Sequence, residues 1–331
     1  MAHPRSPSSA NIQRRAESDP VIGTVIDGDF HVDSLIGVGS HADVFAGHQR
    51  SVGDRPVAIK ILSRPYLNLR EPDFRRASQA LLREGELLGM LHASCFVDVY
   101  RTGILADERP YLAMEYAEGD TLATLAVEQS PLPVALVIDI GLQAAEGLAE
   151  LHQLGFVHRD VTPANLIVCR SALGHVRLKN YDFGTVTKMS PRADRYRVGY
   201  DPEHPLGTPA YMSPEQAQAG VIDGRSDQFA LASVLFELLV GYRPVQVEAT
   251  GPRAVLDHLR SNGPIPVQPL VASADVPTPV VDAVLKALSR DPGARFDVID
   301  DFAKQLLYVK QKSFADTRRT RTGLIGRLLG P

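Results

Sequence analysis

Cysteine is scarce in this chain of 331 residues: Cys95 and Cys169 stand alone, with no CxxC pair. That excludes a disulfide framework and a cysteine zinc site, and it fits a reducing compartment. Long apolar runs are missing as well; nothing approaches the roughly 18 consecutive apolar residues of a membrane span. The opening MAHPRSPSSANIQRR has no apolar core of a secretory leader. An excess of one charge is also absent. Lys+Arg 35 against Asp+Glu 39 leaves a net −4, which argues against a dedicated nucleic-acid binder. These absences predict a soluble, cytoplasmic protein. What remains is ordinary globular composition, 44% hydrophobic and 22% charged, in a chain long enough for two units or one two-lobed unit.

Along the chain, residues 1–22 are rich in Ser, Pro and Arg and are expected to form a disordered tail. Residues 311–331 form a second tail. It carries Arg318, Arg319, Arg321 and Arg327 with a short apolar patch, Leu324-Ile325 and Leu328-Leu329. That is either a solvated basic end or a contact for a partner or membrane surface.

Between the tails, residues 23–116 read chiefly as short β-branched or aromatic strands: Val32–Ile36, Val44–His48, Val57–Leu62, Val97–Thr102 and Tyr111–Met114. One helix, 73–91, interrupts them. Residues 117–310 read as helical. Pro133 and Gly155 punctuate a helix over 133–154, and Leu231, Val234, Leu235 and Leu238 share a face of another over 226–240.

Three groups of residues carry chemistry. In Ile36-Gly37-Val38-Gly39-Ser40-His41-Ala42-Asp43-Val44, glycines two apart allow a tight turn that brings amide donors to phosphate oxygens. An ordinary hairpin and a dinucleotide-binding turn are the alternatives. The latter requires a helix directly after the glycines, whereas Val44-Phe45-Ala46-Gly47 continues as a strand and favours a flap over phosphates. In Val57-Ala58-Ile59-Lys60, alternation puts Ala58 and Lys60 on one face. Lys60 either reaches solvent from an edge or needs a buried partner. Glu84 lies on the apolar stripe Leu81, Leu88, Leu91 of the helix 73–91, and Glu86 points away, so Lys60–Glu84 is the natural ion pair. The third group is His158-Arg159-Asp160-Val161-Thr162-Pro163-Ala164-Asn165, followed by Asp182-Phe183-Gly184.

Taken together these residues resemble the protein-kinase signature: glycine-rich flap, strand lysine, helix glutamate, HRDxxxxN loop and DFG. The likeness continues through Gly207-Thr208-Pro209-Ala210-Tyr211-Met212-Ser213-Pro214-Glu215, then Asp227 and Arg295, the last matching the family's usual partner of Glu215. Ser213-Pro214-Glu215-Gln216-Ala217 and Arg225-Ser226-Asp227 are most similar to bacterial kinases of the eukaryotic-like Ser/Thr (Hanks) type. The resemblance covers about residues 30–305. It implies an α+β, bilobal kinase-like fold, with a small β-rich N-lobe (23–116) carrying one main helix and a larger helical C-lobe (117–310).

The resemblance also implies roles. ATP and Mg²⁺ are the expected substrate and metal, and Ser/Thr hydroxyls of proteins the expected acceptors. Lys60, held by Glu84, grips the α- and β-phosphates. Asp182 and Asn165 hold Mg²⁺, and Asp160 orients the acceptor hydroxyl and takes its proton. Ile36, Gly37, Gly39, Val44 and Ala58 line the nucleotide. Met114 is the gatekeeper, and Glu115, Tyr116 and Ala117 form the adenine-binding hinge. Pro163 and Gly207-Thr208-Pro209 imply Ser/Thr specificity. A nucleotide-binding pseudokinase or signalling scaffold is the competing reading, although such proteins commonly lose one of these polar residues. A small-molecule phosphotransferase of similar fold is another, which the segment Gly207–Glu215 disfavours.

Departures from the family pattern carry further expectations. Thr162 stands where Ser/Thr kinases usually place a lysine. Losing one charge-assisted contact costs about 1.5–3 kcal/mol, or about 10- to 100-fold in rate, so a slow enzyme is expected, with the Thr208 hydroxyl still available to Asp160. Ala42 replaces the third flap glycine, a small change. Between Asp182 and Gly207 the only Ser/Thr residues are Thr185, Thr187 and Ser190. Tyr196 and Tyr200 follow, but no threonine stands ready to dock on Arg159 once phosphorylated. Asp201 or Glu203 are expected to supply that negative charge. His92, His152 and His175 read as surface or packing residues, with no second histidine at metal spacing, and Cys169 as a buried small hydrophobe.

Overall fold

A computed structural model of the chain describes residues 19–39, 41–170, 176–189, 207–245, 252–261, 265, 270 and 275–312. Much of the two tails, the segment 190–206 with Tyr196, Tyr200, Asp201 and Glu203, and also Ser40 and His175, lie outside them. The described chain divides into two units. The first holds the residues up to Gly119 together with Lys179–Gly184; the second holds Asp120–Leu178 and the residues from Thr185 onward.

The first unit is built on β1 (Val25–Ile26), β2 (Phe30–Val38), β3 (Ala42–Gln49), β4 (Arg55–Leu62), β5 (Val99–Ile104) and β6 (Pro110–Glu115). They form one sheet in the order β1-β2-β3-β4-β6-β5, antiparallel throughout. Period-two alternation gives the sheet two different faces. Phe30, Val32, Phe45, Val57, Ile59, Ile61, Tyr111 and Ala113 form a buried apolar cluster on one. Cross-strand pairing puts Val44 opposite Lys60, Lys60 opposite Leu112, and Ala58 opposite Met114 on the other.

That second face is covered by α1 (Glu71–Leu88). Pro72 in the first turn, with Glu71 and Asp73 beside it, suits a helix N-terminus, where an amide is dispensable and negative charge is favoured. Its inward residues are Leu81, Glu84, Gly85, Leu87 and Leu88, and Gly85 lies against Thr102 and Leu112. The helix therefore starts two residues before the expected 73 and stops at Leu88, short of 91; Leu91 is buried in the turn that follows.

One expectation about the N-terminal tail is corrected. Asp19 and Val21 fall inside the expected tail of 1–22, yet both are buried. Val21 belongs to the apolar cluster, and Asp19 forms an ion pair with the almost fully buried Arg109 at 2.9 Å. A tail reading follows from local polarity; Asp19 is ordered by a partner 90 positions away.

The second unit is mainly helical: α2 (Leu122–Gln129), α3 (Val134–Gln153), α4 (Pro214–Ala217), α5 (Gly224–Val240), α6 (Pro252–Arg260), α7 (Thr278–Ala287) and α8 (299–312). Pro133 caps α3 from outside the helix rather than occupying its first turn. Helix α5 is buried nearly all round, Leu231, Val234, Leu235 and Leu238 included, as befits a central helix. It opens on Asp223, whose side chain accepts from the Arg225 amide, and ends at Gly241. Helix α8 runs two residues into the expected C-terminal tail. Short strands complete the unit. β7 (Asp120–Thr121), β9 (Leu166–Arg170) and β10 (Val176–Asn180, whose last two residues belong to the first unit) form one sheet, and β8 (Phe156–Val157) with β11 (Thr187–Lys188) another. Cys169, expected to be buried, is half-exposed on β9. The α+β composition and the division into a β-rich and a helical unit match the implied kinase-like fold. Among the described residues, no helix is long and apolar enough to cross a membrane.

Candidate active site

In the first unit a lysine sits between two carboxylates. Lys60 Nζ lies 2.6 Å from Glu84 Oε1 and 2.9 Å from Asp182 Oδ1. Strand β4 supplies the lysine on the sheet face that α1 covers, and α1 supplies Glu84 from its buried stripe. Lys60 and Glu84 are only 8% and 5% exposed, so neither charge would be tolerated alone. Burial pushes the ammonium pKa down, but Asp182 and Glu84 more than reverse this, and Lys60 stays protonated above its ordinary range. Burial, reinforced by the negative Asp182, raises the Glu84 pKa against the pull of Lys60.

The turn Asp182-Phe183-Gly184 is fastened to the same unit. Glu84 Oε1 accepts the Phe183 amide at 3.1 Å, and Asp182 Oδ1 accepts the Gly184 amide at 3.2 Å. Phe183 is buried edge-on against Phe96, ring centroids 5.2 Å apart. Asp182 keeps a side-chain exposure of 38%. A solvated carboxylate beside a fixed ammonium suits a hard cation and polyphosphate together.

The glycine-rich hairpin continues as a strand into β3, so no helix follows it. Gly37 pairs with Val44, and the Gly39 amide donates to the Ala42 carbonyl at 2.9 Å. A Cβ on Gly39 would stand 2.6 Å from that carbonyl oxygen, so the turn admits no side chain there. Ile36 is exposed, Val44 half-buried and Ala58 buried. Met114 is buried near the end of β6, with Tyr116 and Ala117 half-buried beyond it. Glu115 was expected to act through its backbone. Its amide donates to the Asp98 carbonyl at 2.8 Å, and its carboxylate also holds Lys179 Nζ at 2.7 Å.

In the second unit, Asp160 and Asn165 meet across a short 3₁₀ turn at Pro163–Asn165. Asn165 Nδ2 donates to the Asp160 carbonyl at 3.0 Å and to its Oδ2 at 3.2 Å. The amide nitrogen is thereby committed, and the amide oxygen is the donor left to offer a cation. Asp160 Oδ1 accepts the Thr208 backbone amide at 2.8 Å. The expected contact through the Thr208 hydroxyl is thus made by the main chain. Gly207 precedes it at φ +114, where a Cβ would lie 2.7 Å from the Arg159 carbonyl oxygen. Only glycine fits there without strain. Thr162 is buried, 3% exposed.

Behind this loop stands Asp227, fully buried on α5. Its carboxylate accepts the amides of His158 and Arg159, both at 2.8 Å, and lies 2.8 Å from His152 Nε2. Burial pushes its pKa up, but these partners, His152 foremost, hold it below the usual carboxylate value. His152, expected to be a surface or packing residue, is therefore part of the scaffold of the Asp160 loop. The i and i+75 relation between the two residues leaves no local sequence signal.

Gln216 anchors the same loop by donating to the Arg159 carbonyl at 3.0 Å, and it forms a capping box with Ser213 at the start of α4. Glu215 and Arg295 form the expected pair in bidentate geometry, at 2.8 and 2.9 Å. Of the hydroxyls after Asp182, Thr185 donates to the His158 carbonyl at 2.8 Å, and Thr187 is buried in β11.

Comparison with known proteins points to one family. A model of the protein kinase domain matches residues 30–307. Serine/threonine-protein kinase PrkC of Bacillus subtilis is 33% identical over 281 residues, 85% of this chain and 40% of PrkC. PknB of Mycolicibacterium smegmatis is 31% identical over 298 residues, 88% of this chain and 45% of PknB. PknL of Mycobacterium tuberculosis is 33% identical over 282 residues, 84% of this chain and 65% of PknL. The chain thus spans between two fifths and two thirds of the length of these curated relatives.

Proposed function

From the premise that this chain belongs to the protein kinase family, we propose that it transfers the γ-phosphoryl group of ATP to Ser or Thr hydroxyls of proteins. The observation that carries this is the double pairing of Lys60 with Glu84 and Asp182. It places one cation on the sheet face that also bears Val44 and Ala58, with the Gly37–Gly39 turn at the strand end. Its bacterial serine/threonine kinase relatives support the acceptor class.

Phosphoryl transfer asks the protein mainly for in-line placement and for neutralisation of charge on the phosphate oxygens. Lys60, kept protonated, pairs with the α- and β-phosphate oxygens, and Glu84 fixes its position. Flap amides cover the phosphates, while Glu115 and Ala117 meet the adenine through their backbone. Asp160 orients the acceptor hydroxyl and accepts its proton. The hydroxyl oxygen bonds to the γ-phosphorus as the bond to the β–γ bridging oxygen breaks and ADP leaves. Asp182 and Asn165 offer the hard oxygens that suit Mg²⁺, and the bound ion would neutralise charge on the transferring phosphate.

Thr162 leaves the transferring phosphate without the family's extra lysine, so turnover is slow. Neither Thr185 nor Thr187, each engaged near the Asp182 turn, serves as an activating phosphosite, and acidic residue 201 or 203 takes over that charge.

The test is incubation of the protein with labelled ATP, Mg²⁺ and a generic protein substrate, beside Asp160→Asn. Label on Ser or Thr that disappears in the variant is the expected result. ATP binding without transfer by either protein would instead mark a pseudokinase.

A further inference from the structure

On the sheet face opposite the first unit's apolar cluster, two histidines from neighbouring strands share one carboxylate. His31 on β2 and His48 on β3 are direct cross-strand partners. Their rings stack with centroids 4.7 Å apart and planes 23° from parallel. His31 Nδ1 lies 2.7 Å from Asp33 Oδ1, and His48 Nδ1 lies 3.1 Å from Asp33 Oδ2. The candidate ligand atoms of the three side chains all fall within 4.8 Å of one another.

The strand geometry brings this about. The pairing of β2 with β3 shifts between Val32 and Ser34, and a residue inserted at such a bulge has its side chain re-aimed. Asp33 is that residue, and it reaches His31 two positions back and His48 across the hairpin. Phe30 and Val32 meanwhile turn inward to the apolar cluster. All three polar side chains are partly exposed, so an ion could enter from solvent. Behind His48, Asp54 Oδ1 stands 4.0 Å from Nε2.

We propose that His31, Asp33 and His48 form a binding site for a borderline divalent transition-metal ion, best matched by Zn²⁺, with solvent completing the coordination. Two imidazole nitrogens and a carboxylate oxygen suit Zn²⁺ better than the hard Mg²⁺. On binding, the Asp33 carboxylate exchanges its two Nδ1–H contacts for the metal. Each ring gives up its Nδ1 proton to solvent and takes one on Nε2, and the neutral rings present Nδ1 to the ion, so no redox partner is required. The ion would staple β2 to β3 at the end of the hairpin away from Gly37 and Gly39. This inference does not depend on catalysis.

The test is a Zn²⁺ titration of the full chain followed by metal content after dialysis and by melting temperature, with His31→Gln, His48→Gln, Asp33→Asn and Asp182→Asn in parallel. Wild type and Asp182→Asn should each retain one Zn²⁺ and melt higher with it. The His48→Gln and Asp33→Asn variants should bind about tenfold or more weakly and lose the rise, with metal-free melting unchanged because these side chains are half-exposed. Co²⁺ in place of Zn²⁺ should give ligand-field absorption in wild type that His31→Gln abolishes. Retention of zinc and its melting shift in both histidine variants, their loss in Asp182→Asn alone, or no binding by wild type would each overturn the proposal.

Discussion

Glu84 Oε1 accepts the backbone amide of Phe183 at 3.1 Å while holding Lys60 Nζ at 2.6 Å. One buried oxygen thus ties β4, α1 and the Asp182 turn into a single arrangement. Glu84→Gln separates its two duties, since the amide oxygen still accepts from Phe183 but the charge opposing Lys60 is gone. Loss of a charge-assisted contact of about 1.5–3 kcal/mol predicts about a 10- to 100-fold fall in kcat/KM for ATP. Steady-state kinetics with labelled ATP measure it. Unchanged kinetics would mean that Asp182 alone positions the lysine.

Much of this geometry was legible in the sequence because it rests on periodicity. Alternation in β4 put Lys60 with Ala58, and helical spacing put Glu84 with Leu81 and Leu88, so the ion pair followed from two local patterns. Contacts set by tertiary packing were not legible. Asp19 reads as tail until Arg109 folds over it, and His152 reads as a surface or packing residue until Asp227 arrives from α5. His31 and His48 sit at no metal spacing along the chain; strand register alone makes them neighbours. The amide, rather than the hydroxyl, of Thr208 meets Asp160 because Gly207 turns the main chain at a positive φ.

Thr162 is the position where a single substitution should improve the enzyme. If the missing lysine limits turnover, Thr162→Lys raises kcat by about tenfold or more, the value of one charge-assisted contact. The site is buried, so the melting temperature should fall somewhat as the longer side chain displaces its neighbours. A kcat that falls or stays flat while the protein remains folded would show that the cation is not what limits this site.

Arg295 is a structural arginine whose planar fork is fully used. Its Nη1 and Nη2 hold Glu215, and its remaining donors reach the carbonyls of Ser289, Arg225 and Arg290 at 2.7–3.1 Å. Arg295→Met leaves the Glu215 carboxylate, nearly buried, without its cation and should cost about 3–5 kcal/mol. Arg295→Lys keeps the charge but not the fork, and should recover only part of that loss. Urea unfolding midpoints rank the three proteins, and equal stability of the lysine and arginine forms would refute the geometric account.

Asp227 gives the fold a specific acid sensitivity. Its carboxyl pKa in the folded protein lies below the ordinary 3.8, so between those two values the unfolded chain binds more protons than the folded one. Stability therefore rises with pH across that window. The contribution is fully present above the unfolded value and is lost as pH falls through the folded one. In Asp227→Asn the amide NH₂ must face at least one of the donors now aimed at the carboxylate, from His158, Arg159 and His152. One buried donor is left unsatisfied, at a cost of about 1–3 kcal/mol. The variant should be less stable at neutral pH and lose less on acidification. Urea midpoints taken from pH 7 down to pH 3 should therefore converge for the two proteins, and parallel curves would remove Asp227 as the source of the acid limb.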